Sequence, residues 1–352
     1  MFPRIDAEKL SPKTGGLLVS ACLIVRNEEQ NLPRCLSSIQ PLVDEIVAED
    51  TGSTDGTVEI LKAFGARVRH TKWSGDFALH RNNVLEMAKG RYGLIIDGDE
   101  EIVETNLEET RHHLMHSVLP PILLVRELLL YPGGKAISVL APRIIDLSYG
   151  FRFIHPIHEQ LNVTDAAALL CNVRMVHHGY TSEQGLIEKE RRNLAIAKSM
   201  PAGDIHGLHC QARSAMALRS WVELMDACGQ IISSGAPPML VAEACALGAA
   251  GAFNSSNREM LDKFLEKGRS VAPESPDIRY VELLGAAQRY LNILESGDSD
   301  TPGDFLRPWL FWHGRDAVKA LIDVLAGVRQ VVIADKGNMM DDRASEGKRE
   351  QE

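Results

Sequence analysis

The sequence predicts an α/β domain with a mostly parallel, Rossmann-like sheet, followed by an all-α domain of helical repeats. Two observations carry that expectation. Short apolar runs alternate with amphipathic stretches from Leu17 to Ile96, the pattern of strands joined by crossover helices on both sheet faces. Farther on, Pro201, Pro237 and Pro273 lie 36 residues apart, a period typical of stacked two-helix repeats.

The elements follow in order. Leu17–Val25 reads as a strand, and 31–39 as a helix with Leu32, Leu36 and Ile39 on one face. Residues 45–49 form a short strand, 57–64 a helix, and 67–70 a strand. Residues 77–88 form a helix ended by Gly90, and 92–96 the next strand. Residues 122–130 and 134–140 pair as strands across Pro132-Gly133. In the second half, Ala215, Gly251 and Ala287 share one phase of the 36-residue period, as do Met225 with Leu261 and Cys228 with Phe264. Small residues at one phase let paired helices approach closely. The period is near that of tetratricopeptide repeats, although most of their consensus aromatics are missing. The expected domains are a flexible leader at 1–16, the α/β domain at 17–200, the helical domain at 201–334 and a disordered tail at 335–352.

Composition narrows the function. The chain has 352 residues and a formal net charge of −10, with no long Lys/Arg block, which excludes nucleic acid as a partner class. The six cysteines form no C-x-x-C and sit in apolar segments, as reduced cytosolic thiols do. No signal peptide is visible, and no apolar run reaches the ~18 residues of a transmembrane segment. The expectation is a cytoplasmic protein, with peripheral contact at the inner face of the membrane left open.

Asp97-Gly98-Asp99-Glu100 is the most informative stretch. Two carboxylates two residues apart, at the carboxyl end of a buried strand, converge where clefts of open α/β sheets lie. Hard oxygen ligands there suit Mg²⁺ or Mn²⁺, which typically hold a diphosphate. Three earlier segments can line the same cleft. Residues 22–29 run from a strand into a polar turn, residues 50–57 form a Gly-Ser turn before a helix, and residues 73–82 contain Trp73, Asp76, Phe77, Arg81 and Asn82. Asp50 can accept from a base N–H, the 51–56 turn can offer backbone N–H groups to phosphate, and Arg81 can place a guanidinium near base or phosphates. Taken singly, Asp50 and Asp55 also suit turn and cap roles, Arg81 a surface salt bridge, and Trp73 and Phe77 packing.

Together, Leu23-Ile24-Val25-Arg26-Asn27-Glu28-Glu29, Asp50 to Thr57, Trp73-x-x-Asp76-Phe77-x-x-x-Arg81-Asn82 and Asp97-x-Asp99-Glu100 resemble glycosyltransferase family two. The nearest resemblance is to the subgroup of lipopolysaccharide-core β-glucosyltransferases and peptide-modifying glycosyltransferases, which often carry C-terminal tetratricopeptide-like repeats. Ile157-His158-Glu159-Gln160-Leu161, Val176-His177-His178-Gly179-Tyr180 and Arg192-Asn193-Leu194 extend it to about residues 17–200. One departure is Ala48-Glu49, where the family prefers apolar residues.

The resemblance implies a GT-A fold and an inverting, metal-dependent transfer from a nucleotide-sugar donor, a UDP-sugar, to a glycan, lipid-linked or peptide acceptor. It lays the nucleotide along Val25, Asn27, Glu28, Asp50, Ser53, Asp55, Arg81, Asp97 and Gly98. It assigns Mn²⁺ or Mg²⁺ to Asp97, Asp99 and His177, with packing near Tyr180 as the other reading of His177. Glu159 is its candidate base, since an inverting transfer needs a carboxylate to take the acceptor proton. A structural salt bridge is the other reading of Glu159, and Asp146 and Glu127 are weaker candidates for the base. Glu100 is expected at the edge of the site. The helical repeats are a candidate surface for a protein partner. Two rivals remain: a sugar nucleotidyltransferase, disfavoured by the acidic Arg26-Asn27-Glu28-Glu29 turn, and a catalytically weak domain serving as a repeat-protein scaffold.

Overall fold

The structure, a computed structural model, describes residues 16–281 apart from 104–105, 164–165, 181 and 280. The expected leader and tail, and Ala287 of the repeat phase, lie outside these residues. The chain divides into two compact units after Leu186.

The first unit is built on an eight-stranded sheet of order β3-β2-β1-β4-β7-β6-β10-β5. Its first half follows the expected alternation: β1 (Val19–Val25), α1 (Leu32–Ile39), β2 (Glu45–Asp50), α2 (Thr57–Ala63), β3 (Arg67–His70), α3 (Phe77–Met87) and β4 (Tyr92–Ile95). These strands are all parallel. The second half is mixed rather than mostly parallel. β6 (Ile122–Tyr131) and β7 (Lys135–Asp146) form a long hairpin, β7 runs antiparallel to β4, and β10 (Ala168–His177) runs parallel to β6 and antiparallel to β5 (Glu100–Val103). The physical cause is the tight turn at Pro132–Gly134, which reverses the chain where a parallel connection would need a crossover.

Period-two alternation in β1 sorts its side chains onto two faces. Val19, Ala21, Leu23 and Val25 join Leu32, Cys35, Leu36 and Ile39 of α1 in one core. Cys22 faces the other side, with Ala78, Val84 and Leu85 of α3. Helix α1 forms because these apolar residues recur at helical spacing, with Pro33 in its first turn. Asp76 caps α3, accepting from the Leu79 N–H at 2.9 Å.

Strands β4 and β5 stand four places apart in the sheet, yet only Ile96, Asp97, Gly98 and Asp99 join them. So short a link requires the sheet to curl its edge back toward its centre. That curl gathers the site.

The second unit begins at Ile187, inside α5 (Glu183–Ser199), not after Met200 as expected. The reason is that α5 bonds to the helices after it. Glu190 accepts from the Ser214 hydroxyl at 2.7 Å, the Ala197 carbonyl accepts from Gln211 at 3.2 Å, and Lys198 pairs with Glu223. The helices are α6 (Ile205–Ala217), α7 (Trp221–Ser233), α8 (Pro238–Asn254) and α9 (Arg258–Val271), one pair after each of Pro201 and Pro237. Cys228 and Phe264, equivalent in the repeat, are both buried in its core. No described helix is long and apolar enough to cross a membrane. All six cysteines are free.

Candidate active site

The carboxyl ends of β1 and β2 lie side by side, with Val25 paired to Asp50. The turns that follow are stitched together. Asn27 N–H donates to Ser53 Oγ at 2.9 Å, Asn27 Oδ1 accepts from Thr54 N–H at 2.8 Å, and Glu28 N–H donates to Thr57 Oγ1 at 2.7 Å. Asp50 accepts from Ser53 N–H at 3.0 Å and lies 3.2 Å from His70 Nδ1. Burial pushes its carboxyl up, but Ser53 and His70 outweigh it and the group sits below the usual range. Asp55 caps α2 through Thr57 N–H and also accepts from Glu29 N–H.

This stitching corrects one expectation. The N–H groups of Thr51, Ser53, Thr54 and Gly56 donate to Val25, Asp50, Asn27 and Glu29, so they are used within the protein rather than offered to phosphate. The departure at Glu49 has a local explanation too. Its buried Oε1 accepts from Thr71 at 2.7 Å and Asn83 at 3.1 Å and lies 2.7 Å from His80 Nδ1. Trp73 stacks on His80 and meets Phe77 edge-on, so both aromatics pack.

Arg81 is buried rather than on the surface. It forks onto Asp97, with Nη1 2.7 Å from Oδ1 and Nη2 3.1 Å from Oδ2, and its Nε lies 3.1 Å from Glu159 Oε1. The guanidinium is thus committed to two carboxylates. Burial alone would raise the Asp97 pKa, but Arg81 and Arg143 hold it far below the usual range. Glu159 rides on the loop between β8 (Phe153–Ile154) and β9 (Gln160–Leu161). Asn82 holds that loop by exchanging two hydrogen bonds with Phe153, and the Pro156 carbonyl accepts from Phe77 N–H. His155 and His158 flank Pro156-Ile157 at φ of 72° and 50°, backbone that needs outside support.

His177 ends β10 opposite Glu100 in the β10–β5 register. Its Nε2 is 3.2 Å from Asp99 Oδ2 and its Nδ1 3.2 Å from Glu127 Oε1. The Tyr180 ring lies 4.5 Å away, the packing contact expected of His177. Burial opposes protonation, but Asp99 and Glu127 override it and raise the pKa to about 10. A divalent ion bound by Nε2 must displace that proton. Gly179 keeps the approach open: a Cβ there would collide with Asp99 Oδ2 and lie 2.8 Å from His177 Nε2. Gly98 has the same role toward Glu28, whose Cγ would be 2.9 Å from a Cβ. Burial, with help from Asp99, Asp97 and Asp55 and against the Asn31 hydrogen bond, raises Glu28 to about 7.

Glu100 is a second correction. It lies fully buried beneath the turn, not at the edge, accepting from Asp97 N–H at 2.8 Å and Arg143 at 2.5 Å. Burial is the main cause that raises it to about 8, with Arg143 opposing. Asp146 also leaves the site: it pairs with Arg91 and caps the turn at Ser148, at the opposite end of β4.

Two metal-capable groupings meet here. Glu100, Glu127 and His177 offer donor atoms within 4.8 Å of one another, but Arg143 already neutralises both glutamates, at 2.5 and 2.9 Å. A second cation there would meet the Arg143 guanidinium. Asp99 with His177 fits better. Their 3.2 Å separation is close to the edge of an octahedron with ligands at about 2.1 Å; the carboxylate suits Mn²⁺ or Mg²⁺, and the imidazole favours the transition metal of the two. Asp97 stands on the same turn.

Glu100, Glu127, Arg143 and Gly179 were not singled out as metal-site residues in the sequence. The available signal was a charge inside an apolar run, Glu127 within Leu123–Leu130 and Arg143 beside Ile144-Ile145. Such residues are rarely buried unless paired.

Residues 20–116 match the family model for glycosyl transferase family 2. A TPR repeat-containing protein of Synechococcus elongatus is 36% identical over 141 residues, covering 40% of this chain and 34% of that protein. The SPbeta prophage-derived glycosyltransferase SunS of Bacillus subtilis is 26% identical over 195 residues, covering 52% of this chain and 44% of that protein. The chain thus spans less than half the length of these curated relatives. Among solved structures, S. aureus TarS 1–349 in complex with UDP-GlcNAc is similar at 16% identity and a TM-score of 0.42, over 72% of this chain and 90% of that one.

Proposed function

We propose that this chain, whose residues 20–116 match the family model for glycosyl transferase family 2, is a glycosyltransferase of GT-A fold that transfers a sugar from a UDP-sugar to a hydroxyl of a glycan, lipid-linked or peptide acceptor, with inversion. The observation that carries the reading is the convergence of Asp99 with His177 at 3.2 Å and of Arg81 with both Asp97 and Glu159. That convergence supports reading the cluster as a cation site beside a carboxylate base.

In this reading Asp50 accepts from the uracil N–H. Val25, Asn27, Glu28, Ser53, Asp55 and Gly98 line the nucleotide path. Asp97, Asp99 and His177 hold Mn²⁺ or Mg²⁺, which when bound neutralises charge on the leaving diphosphate. Glu159 takes the acceptor proton through Oε2 while Arg81 engages Oε1. The acceptor oxygen attacks the anomeric carbon from the face opposite the diphosphate, and the bond to the diphosphate breaks. Arg81 fixes the spacing between base and metal turn. The second unit is a tetratricopeptide-like platform for the acceptor or a protein partner. The absence of C-x-x-C pairs and the free cysteines support a cytoplasmic setting.

Calorimetric titration of UDP with and without Mn²⁺ tests the donor and metal, and a screen of nucleotide sugars for donor hydrolysis identifies the sugar. Metal-dependent UDP binding that disappears in Asp99→Ala supports the reading. A wild-type protein that binds no UDP with Mn²⁺ present overturns it.

A further inference from the structure

We infer that Glu127 is a positioning residue that aims His177 at the metal. The inference rests on the proposed function, and concerns a residue to which the sequence assigned, at most, a different role.

Glu127 lies mid-strand on β6, buried, among apolar neighbours. A carboxylate there needs a purpose and a partner. It has two partners. One oxygen, Oε1, faces His177 Nδ1 at 3.2 Å, and the other, Oε2, accepts from Arg143 Nη2 at 2.9 Å. The Arg143 ion pair at 2.9 Å keeps it a carboxylate, so Oε1 can only accept. Nδ1 therefore keeps its hydrogen, and Nε2 is the nitrogen left to face Asp99. Metal-bound histidines usually donate their second N–H to a carboxylate or carbonyl in this way, which fixes ring and tautomer.

The register explains why β6 supplies the carboxylate. His177 pairs with Leu129, and Glu127 pairs with Met175, so Glu127 sits two residues back along the neighbouring strand, on the same face as His177. Arg143 completes the arrangement from β7, the other neighbour of β6. It is shared between Glu127 and Glu100, and Glu100 accepts from the Asp97 N–H. The imidazole and the Asp97 turn thus lean on one guanidinium.

The test is Mn²⁺ affinity, read by electron paramagnetic resonance of free Mn²⁺ with UDP present, in full-length protein. Wild type is compared with Glu127→Gln, His177→Ala and the double variant. Glu127→Gln keeps the shape and removes the charge, and should weaken Mn²⁺ about 10- to 100-fold. In the His177→Ala background the same change should add less than about 2-fold, because Glu127 acts through His177. Equal losses in both backgrounds, or wild-type affinity in a folded Glu127→Gln, overturn the inference. A second measurement needs no variant. With Mg²⁺ and UDP bound, nitrogen-15 spectra of labelled histidine should show the His177 proton on Nδ1, and a proton on Nε2 overturns the inference. Wild type that binds no Mn²⁺ overturns the proposed function instead, so the two failures are distinguishable.

Discussion

Arg81 Nε lies 3.1 Å from Glu159 Oε1 while the other two nitrogens of the same guanidinium fork onto Asp97. One planar cation thereby sets the distance between a loop carboxylate and the first acid of the Asp97–Asp99 turn, 78 and 16 residues away in the chain. Lysine cannot reproduce that fork. Arg81→Lys should fold yet lose turnover by roughly 10²-fold, as expected when reacting groups shift by about 1 Å. Arg81→Met strands two carboxylates and should cost about 3 kcal/mol. Steady-state kinetics and urea unfolding of the two variants check both halves, and an unimpaired Arg81→Lys enzyme would show that the spacing is set elsewhere.

Glu159→Gln keeps the loop contact and removes basicity. It should spare UDP affinity and cut turnover by about 10²-fold or more with a hydroxyl acceptor. A thiol acceptor should suffer less, because a thiolate forms more easily. Near-wild-type transfer to a hydroxyl would move the role to another carboxylate.

Gly179→Ala tests the opening between Asp99 and His177. The added methyl should push the Asp99 carboxylate aside, since a side-chain end yields before backbone does. Thermal unfolding should change little, while Mn²⁺-dependent UDP binding should fall about tenfold or more. Unchanged Mn²⁺ dependence would place the ion away from this pair.

Asp50 carries a pH signature. Burial raises its pKa, but Ser53 and His70 lower it by more. A group depressed on folding contributes stability above its unfolded pKa of about 3.9 and loses it as pH falls through the folded value. Asp50→Asn should therefore destabilise the protein more at pH 6 than at pH 2.5. Urea unfolding at the two pH values reads the difference, and an equal effect at both would mean that the charge is not what Ser53 and His70 stabilise.

The first half of the sheet was legible because its strands are short, apolar and punctuated by helices. Arg67–His70 and the start of α3 at Phe77 fall where the sequence puts them. No element was expected over β5, whose Glu100-Glu101-Ile102-Val103 does not read as a strand, or over α4 (Leu107–His116), which buries only Thr110 and Leu114. Strand β10 is interrupted by a register shift between Leu170 and Arg174, which breaks its alternation. The site residues were legible where they follow a strand, as Asp50, Asp97 and Asp99 do. The pairing of Arg81 with Glu159 and of Glu127 with His177 was not, because these contacts span 78 and 50 residues.

The four-residue link between β4 and β5 has a consequence for assembly in time. Asp99 is synthesised 78 residues before His177, and β5 has no described neighbour in the sheet but β10. A nascent chain that has emerged only through Glu159 holds the two turns after β1 and β2 and the Asp97 turn, yet lacks β10 and with it the imidazole. The β1–β4 half can thus order early, by contacts close in sequence, whereas the Asp99–His177 pair waits for a long-range closure, the slow kind of step in folding. Mn²⁺ affinity during refolding should accordingly appear with the last strand to dock.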